Sequence, residues 1–168
     1  MKFSALFLMF FAFNAAATVT VGLVDVQKVL TTIKEGQSVM KTLEKSFNEK
    51  KATLKKDEER IKKAGDDLKK QAAVLSEQAR LTKEREIQEQ ILKVQGKAAE
   101  FQRDMQKMEN DLKRPIIDKL RPIIQEVSKT AGVQMTFEQG SAPIIYAEAE
   151  KNLTDDVVKA YDKKYPAK

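Results

Sequence analysis

The 168-residue chain carries 31 Lys and Arg against 25 Asp and Glu, with 7% aromatics, no Trp, no Cys and no His. The missing Cys and His exclude disulfides, zinc sites of the usual kind, thiol nucleophiles and every His-based acid–base scheme. A composition that is one-third charged suits long helices better than a dense core, and the length suits one ordinary domain.

Met1 to Ala17 reads as a secretory signal peptide. Lys2 supplies the positive start, Phe3 to Phe13 the apolar run, and Ala15-Ala16-Ala17 the small residues a signal peptidase recognises, with cleavage expected after Ala17. The run is shorter than the roughly 20 apolar residues a membrane span requires. Without Lys2 the formal charge of +6 falls to +5, and the product is expected to be exported and soluble.

Thr18 to Val26 alternates as a strand, with Val19, Val21 and Leu23 on one face and Val24 and Val26 on the other. Asp25 is placed to cap a short helix through Gln27, Val29, Leu30 and Ile33. Gly36 then punctuates, closing a first body segment at 18–37, and a long helical stretch, 38–130, begins near Ser38.

That stretch reads as two arms. In the first, one position in seven is apolar: Met40, Phe47, Leu54, Ile61, Leu68, Leu75. Its second seam position decays through Leu43, Lys50, Asp57, Ala64 and Gln71. In the second arm both positions are filled, by Ile87, Ile91, Val94, Ala98, Phe101, Met105, Met108 and Leu112. Steps of four and three that alternate over such a length keep one narrow stripe facing a partner helix, the pattern of a coiled coil. Glu58–Lys62, Glu59–Lys63 and Asp66–Lys70 are spaced to pair along the first arm. The heptad frame breaks between Leu75 and Ile87, and Ser76 and Thr82 are plausible caps, so a reversal is expected near 75–82. No Gly or Pro marks it, and the competing reading is one unbroken helix from Ser38 to about Arg114.

Pro115 and Pro122 each lack an N–H and crowd the preceding turn, so each is expected to kink or interrupt the second arm. The apolar stripe resumes at Ile116, Leu120, Ile123 and Val127, and Ala131-Gly132 is a stop signal. The second body segment, 131–168, then offers strands at Val133 to Phe137 and at Pro143 to Ala147, separated by a turn at Gln139-Gly140-Ser141. A final helix opens at Leu153-Thr154-Asp155-Asp156 with Thr154 as its expected cap. The class is α+β, mostly α: a long antiparallel coiled-coil hairpin projecting from a small body with three short strands per chain. So small a body is marginal alone, and its strands leave open edges, so an obligate homo-oligomer is expected.

Enzyme readings fail on inventory, with no Gly-x-Ser-x-Gly, no phosphate-cradling loop and no dinucleotide fingerprint; no catalytic residue, metal or cofactor is expected. The carboxylates at Asp57-Glu58-Glu59, Asp66-Asp67 and Asp155-Asp156 read as solvated helix faces or helix starts.

Taken in order, the chain resembles the Skp/OmpH family of periplasmic chaperones. The resemblance rests on Val24-Asp25-Val26-Gln27-Lys28-Val29-Leu30, Leu75-Ser76-Glu77-Gln78-Ala79-Arg80, Pro115-Ile116 and Leu153-Thr154-Asp155-Asp156-Val157-Val158, and on the succession of signal peptide, strand, helical hairpin, two strands and closing helix. It favours the hairpin over the unbroken helix. It implies a homotrimer whose strands join into one barrel-like body, with three hairpins around a cavity. In that cavity, without ATP, unfolded outer-membrane β-barrel proteins are held in the periplasm before insertion. Transient contact with anionic lipid or lipopolysaccharide is a further implication that no particular residue here carries.

Within that reading, Phe47, Leu54, Phe101, Met105 and Met108 are candidates to meet a client, though the same residues suit packing of the two arms on each other. Residues 41–85 hold 14 basic against 9 acidic residues and residues 86–131 hold 9 against 8, so the basic excess sits on the first arm and reversal. Lys50, Lys51, Lys55, Lys56, Lys62, Lys63, Lys69, Lys70 and Arg80 are the candidates for steering acidic chains or anionic headgroups; ordinary helix solubility is the competing explanation. Nucleic acid is not an expected partner, because bases alternate with acids and no aromatic platform accompanies them. The alternative function is an exported adaptor whose coiled coil docks on a folded envelope partner.

Overall fold

The computed structural model describes residues 19–141 and 144–166. The expected leader, Met1 to Ala17, lies outside the described residues. The elements are β1 (Thr20–Val24), α1 (Val26–Thr32), α2 (Lys34–Gln71), α3 (Glu77–Ala131), β2 (Met135–Glu138), β3 (Ala149–Asn152) and α4 (Thr154–Lys164).

Asp25 does cap α1, accepting from Lys28 N at 2.8 Å. Ile33 alone, extended at φ −62° and ψ 146°, separates α1 from α2. The long helix therefore starts at Lys34, four residues before the expected Ser38. Gly36 does not punctuate; it is buried in the first turn of α2, where a Cβ would stand 1.8 Å from the Leu30 carbonyl oxygen. The glycine is there to let two helices approach, not to stop one.

α2 has 38 residues and α3 has 55, about 57 Å and about 83 Å at 1.5 Å per residue. They lie side by side in opposite directions: Glu35 meets Lys119, Lys50 meets Asp104, and Asp57 meets Lys97. The chain reverses over 72–76, earlier than the expected 75–82. Ser76 caps α3 by accepting from Ala79 N, whereas Thr82 lies inside the helix and returns its hydroxyl to Gln78 O. α3 runs unbroken through Pro115 and Pro122. Each proline forfeits one helical hydrogen bond, but the same turns bury Ile116, Leu120 and Ile123, which offsets that cost. Gly132, at φ 68°, ends α3 with its N–H on Lys129 O and Ser128 O.

The sheet is wholly parallel, in the order β2-β1-β3, with Val21 beside Met135 and Glu150. The third strand is Ala149–Asn152, not Pro143–Ala147. β1 occupies the centre, so the chain must pass from one edge to the other between β2 and β3, and no tight turn can join parallel strands. Ile144, Ile145 and Tyr146 fall within that crossing. Thr154 does not cap α4; its hydroxyl accepts from Asp25 N at 3.0 Å and so ties α4 to β1.

One face of the sheet carries the core. Val24, Val29, Leu30, Ile33, Ile116, Leu120, Ile123, Leu153, Val157 and Tyr161 form one buried cluster joining β1, α1, α4 and the base of α3. The opposite face, set by strand alternation, presents Val21, Leu23, Met135 and Phe137, of which Met135 is 55% exposed.

Candidate functional site

The long helices meet the core at one polar knot. Lys119 Nζ donates to both Glu35 oxygens, at 2.7 and 2.9 Å, and Tyr161 OH donates to Glu35 Oε2 at 2.7 Å. Lys119 also lies over the Tyr165 ring, 5.1 Å from its centroid. α2, α3 and α4 are thus joined at a single carboxylate. Burial pushes the Glu35 carboxyl up, but the hydrogen bonds from Lys119 and Tyr161 and the Lys119 charge outweigh it and hold it below its ordinary value. Burial, then Glu35, push the Tyr161 hydroxyl up. Tyr161 and Tyr165 were legible as residues that dock the final helix on the body, but Glu35 and Lys119 were not, because Glu35 lies 84 positions from Lys119 and 126 from Tyr161.

Above the knot an apolar groove of about 720 Å³ runs between α2 and α3. Met40, Leu43, Phe47, Leu54, Ala98, Phe101 and Met105 line it, with Glu109 and Lys113 toward its base. Four of the five client-contact candidates, Phe47, Leu54, Phe101 and Met105, come together here; Met108 is half-buried and lies off the groove. Phe47 and Phe101 face each other with ring centroids 5.5 Å apart, and Phe47 remains 44% exposed. Met40 and Leu43, read from the sequence only as seam positions, belong to the same surface. The groove is open because the first arm supplies one apolar residue per turn pair where a closed seam needs two.

The decayed seam positions of α2 are occupied by charge. Lys50 Nζ reaches Asp104 Oδ2 at 2.5 Å and lies 5.9 Å from the Phe101 centroid. Asp57 is buried, with Arg60 on Oδ1 and Lys97 on Oδ2, both at 2.6 Å. The expectation that Asp57 belongs to a solvated face is therefore wrong; only its neighbours Glu58 and Glu59 are exposed. The hydrogen bond from Lys97 is the main reason its carboxyl sits below the ordinary value.

Of the steering candidates, Lys50 is engaged with Asp104, Lys51 lies 6.0 Å from the Phe47 centroid, Lys55 approaches Glu59 at 3.9 Å, and Arg80 approaches Glu84 at 3.8 Å. Lys56, Lys62, Lys63, Lys69 and Lys70 are exposed and bridge to no carboxylate among the described residues. The expected Glu58–Lys62, Glu59–Lys63 and Asp66–Lys70 pairs do not close; the spaced pairs that form on α2 are Lys45–Glu49 and Lys55–Glu59. Exposed pairs gain so little over hydration that either set is affordable. At the turn, Val74 is 84% and Leu81 47% exposed. Among the described residues no cluster of His, Cys, Asp and Glu could hold a metal ion, and no helix is long and apolar enough to cross a membrane.

Comparison with known proteins agrees with this architecture. No curated protein matches the chain. Among solved structures, a candidate outer membrane chaperone (OmpH-like) from Caulobacter crescentus CB15 has the same fold, at 16% identity and a TM-score of 0.73 over 90% of this chain and 89% of that one. The family model described as outer membrane protein (OmpH-like) matches residues 20–161. With the match spanning the sheet, both long helices and most of α4, the chain belongs to the Skp/OmpH-like family.

Proposed function

We propose that the chain is a periplasmic, ATP-independent holdase that binds unfolded outer-membrane β-barrel proteins and keeps them from aggregating before insertion. The observation that carries this reading is the open groove of Phe47, Leu54, Phe101 and Met105 on two long solvated helices, in a chain of the OmpH-like family. Half-exposed aromatic and methionine side chains offer adaptable, individually weak contacts, which suits clients that share hydrophobic alternation but no common sequence. Lys51, Lys55, Lys56 and the lysines toward the turn supply a basic field that draws acidic segments or anionic headgroups at low salt. Its chemistry is binding rather than catalysis.

The working unit in this reading is a homotrimer, with three coiled-coil hairpins projecting from one shared body. Parallel sheets are almost always covered on both faces, yet here one face carries the core and, among the described residues, no helix covers Val21, Leu23, Met135 and Phe137 on the other. Ile145 and Tyr146, in the crossing between β2 and β3, are 98% and 82% exposed. Other copies of the chain are the covering this reading supplies.

The test uses residues 18–168. A urea-unfolded barrel protein is diluted into buffer with the protein and without nucleotide, and light scattering is followed. Suppression at about one trimer per client is the expected result. Unchanged aggregation at several-fold excess of folded protein would sink the holdase reading and favour an adaptor that docks on a folded partner.

A further inference from the structure

Between Leu43 on α2 and Ile116 on α3, the only described residue that is buried is Asp57. A helical seam ordinarily buries leucine and isoleucine, and a charged residue there is tolerated only when paired. Asp57 is paired twice, and one partner, Lys97, belongs to the facing helix.

The two sides of this pair differ. Toward the core lie the Lys50–Asp104 bridge, the Phe47–Phe101 contact, buried Leu43 and the Glu35 knot. Toward the turn, no further ion pair joins α2 to α3 among the described residues, and Ile61, Leu68, Ile87, Ile91 and Val94 are all half-buried. Gly65 and Gly96 stand in open space, with no atom within 4 Å of a built Cβ. Packing does not demand either glycine, and each weakens its helix. Gln90 adds a buried side-chain oxygen with no hydrogen-bond partner among the described residues.

We propose that the Asp57–Lys97 pair is a clamp dividing the paired helices into two units of unequal stability. The outer unit, residues 58–96, opens locally and uncovers Ile61, Leu68, Ile87, Ile91 and Val94 as a reserve apolar surface. Local opening is easiest where buried contacts are fewest, and among the described residues the outer unit has no fully buried apolar side chain and no ion pair between the helices. The clamp sets its limit, because going further breaks the charge-assisted Lys97–Asp57 hydrogen bond between the helices and then the Lys50–Asp104 bridge. Use of the uncovered surface by clients rests on the holdase reading; the opening itself does not.

Hydrogen–deuterium exchange on the full chain tests the opening. Amides of 58–71 and 77–96 are expected to exchange as one group, at least about tenfold faster than those of 45–56 and 98–110. A smooth decline from core to turn, or equal protection on both sides of 57 and 97, would overturn the clamp. Lys97 has a side chain 39% exposed, so Lys97→Met leaves no void and should move the step inward to Lys50–Asp104; a step that stays in place overturns the role of the pair. Gly65→Ala with Gly96→Ala should slow outer exchange by roughly fivefold per glycine and leave inner exchange unchanged; no slowing overturns the account. In the same double variant, slower capture of an unfolded barrel protein is expected, and an unchanged rate overturns the reserve surface. If the unsubstituted chain captures no client at all, the holdase reading fails while the exchange result stands.

Discussion

The base of the molecule and its long helices are built on opposite rules. At the base, ten apolar side chains are buried in one cluster, and the Glu35 carboxylate beside it is held by Lys119 and Tyr161. Between Leu43 on α2 and Ile116 on α3 the apolar side chains stay partly or largely exposed, and the one buried residue among those described is Asp57. The contrast teaches where uniqueness is needed. The base must hold one arrangement so that the helices leave it at a fixed angle. The helices need only stay paired, and a pairing that relies on charge leaves the apolar stripe free for other contacts.

The sharpest way to break this contrast is to make the base resemble the helices. Leu120→Ala removes a side chain that is 1% exposed and should cost about 2–5 kcal/mol in urea unfolding. Gly36→Ala forces a Cβ against the Leu30 carbonyl and should cost about 1–3 kcal/mol, because backbone rather than a flexible side chain must yield. Glu35→Gln should cost about 1–2 kcal/mol through the loss of charge-assisted hydrogen bonds. The Glu35 carboxyl is held below its ordinary value of 4.5. Its contribution is therefore complete above that value and is lost as pH falls through the lower folded value, so acid unfolding below about pH 4.5 should be less steep in Glu35→Gln. On the helices the order of effects inverts. Phe47→Ala or Met105→Ala should change stability by less than about 1 kcal/mol, since both side chains remain partly in water, while client capture falls several-fold. Smallest of all, Lys51→Glu, Lys55→Glu and Lys56→Glu together should slow client capture at low salt and leave it unchanged at high salt; an unaltered low-salt rate removes steering from the account.

The same contrast separates what the sequence disclosed from what it concealed. Heptad spacing is a local signal, so both long helices, the Ser76 cap and the apolar groove positions were legible, as was the Asp25 cap of α1. Contacts between distant segments leave no such trace. Lys50 and Asp57 read as lapses in the seam because their partners, Asp104 and Lys97, lie 54 and 40 residues away. Pro115 and Pro122 read as breaks because local propensity is strong, and the burial of Ile116 and Ile123 overrode it. The apolar run Ile144-Ile145-Tyr146 has the composition of a strand, but with β1 at the sheet's centre those residues are used in crossing to the far edge, and β3 follows at Ala149. Gly36 signalled a stop, and nothing nearby in the chain announced the Leu30 carbonyl beneath it.

The most direct test of the division of labour is site-specific photocrosslinking of the full chain in the presence of a urea-unfolded outer-membrane barrel protein, with the photoreactive side chain at position 47 or at position 146. The account predicts client adducts from position 47 and chain-to-chain adducts from position 146. Client adducts from position 146 with none from position 47 would contradict it.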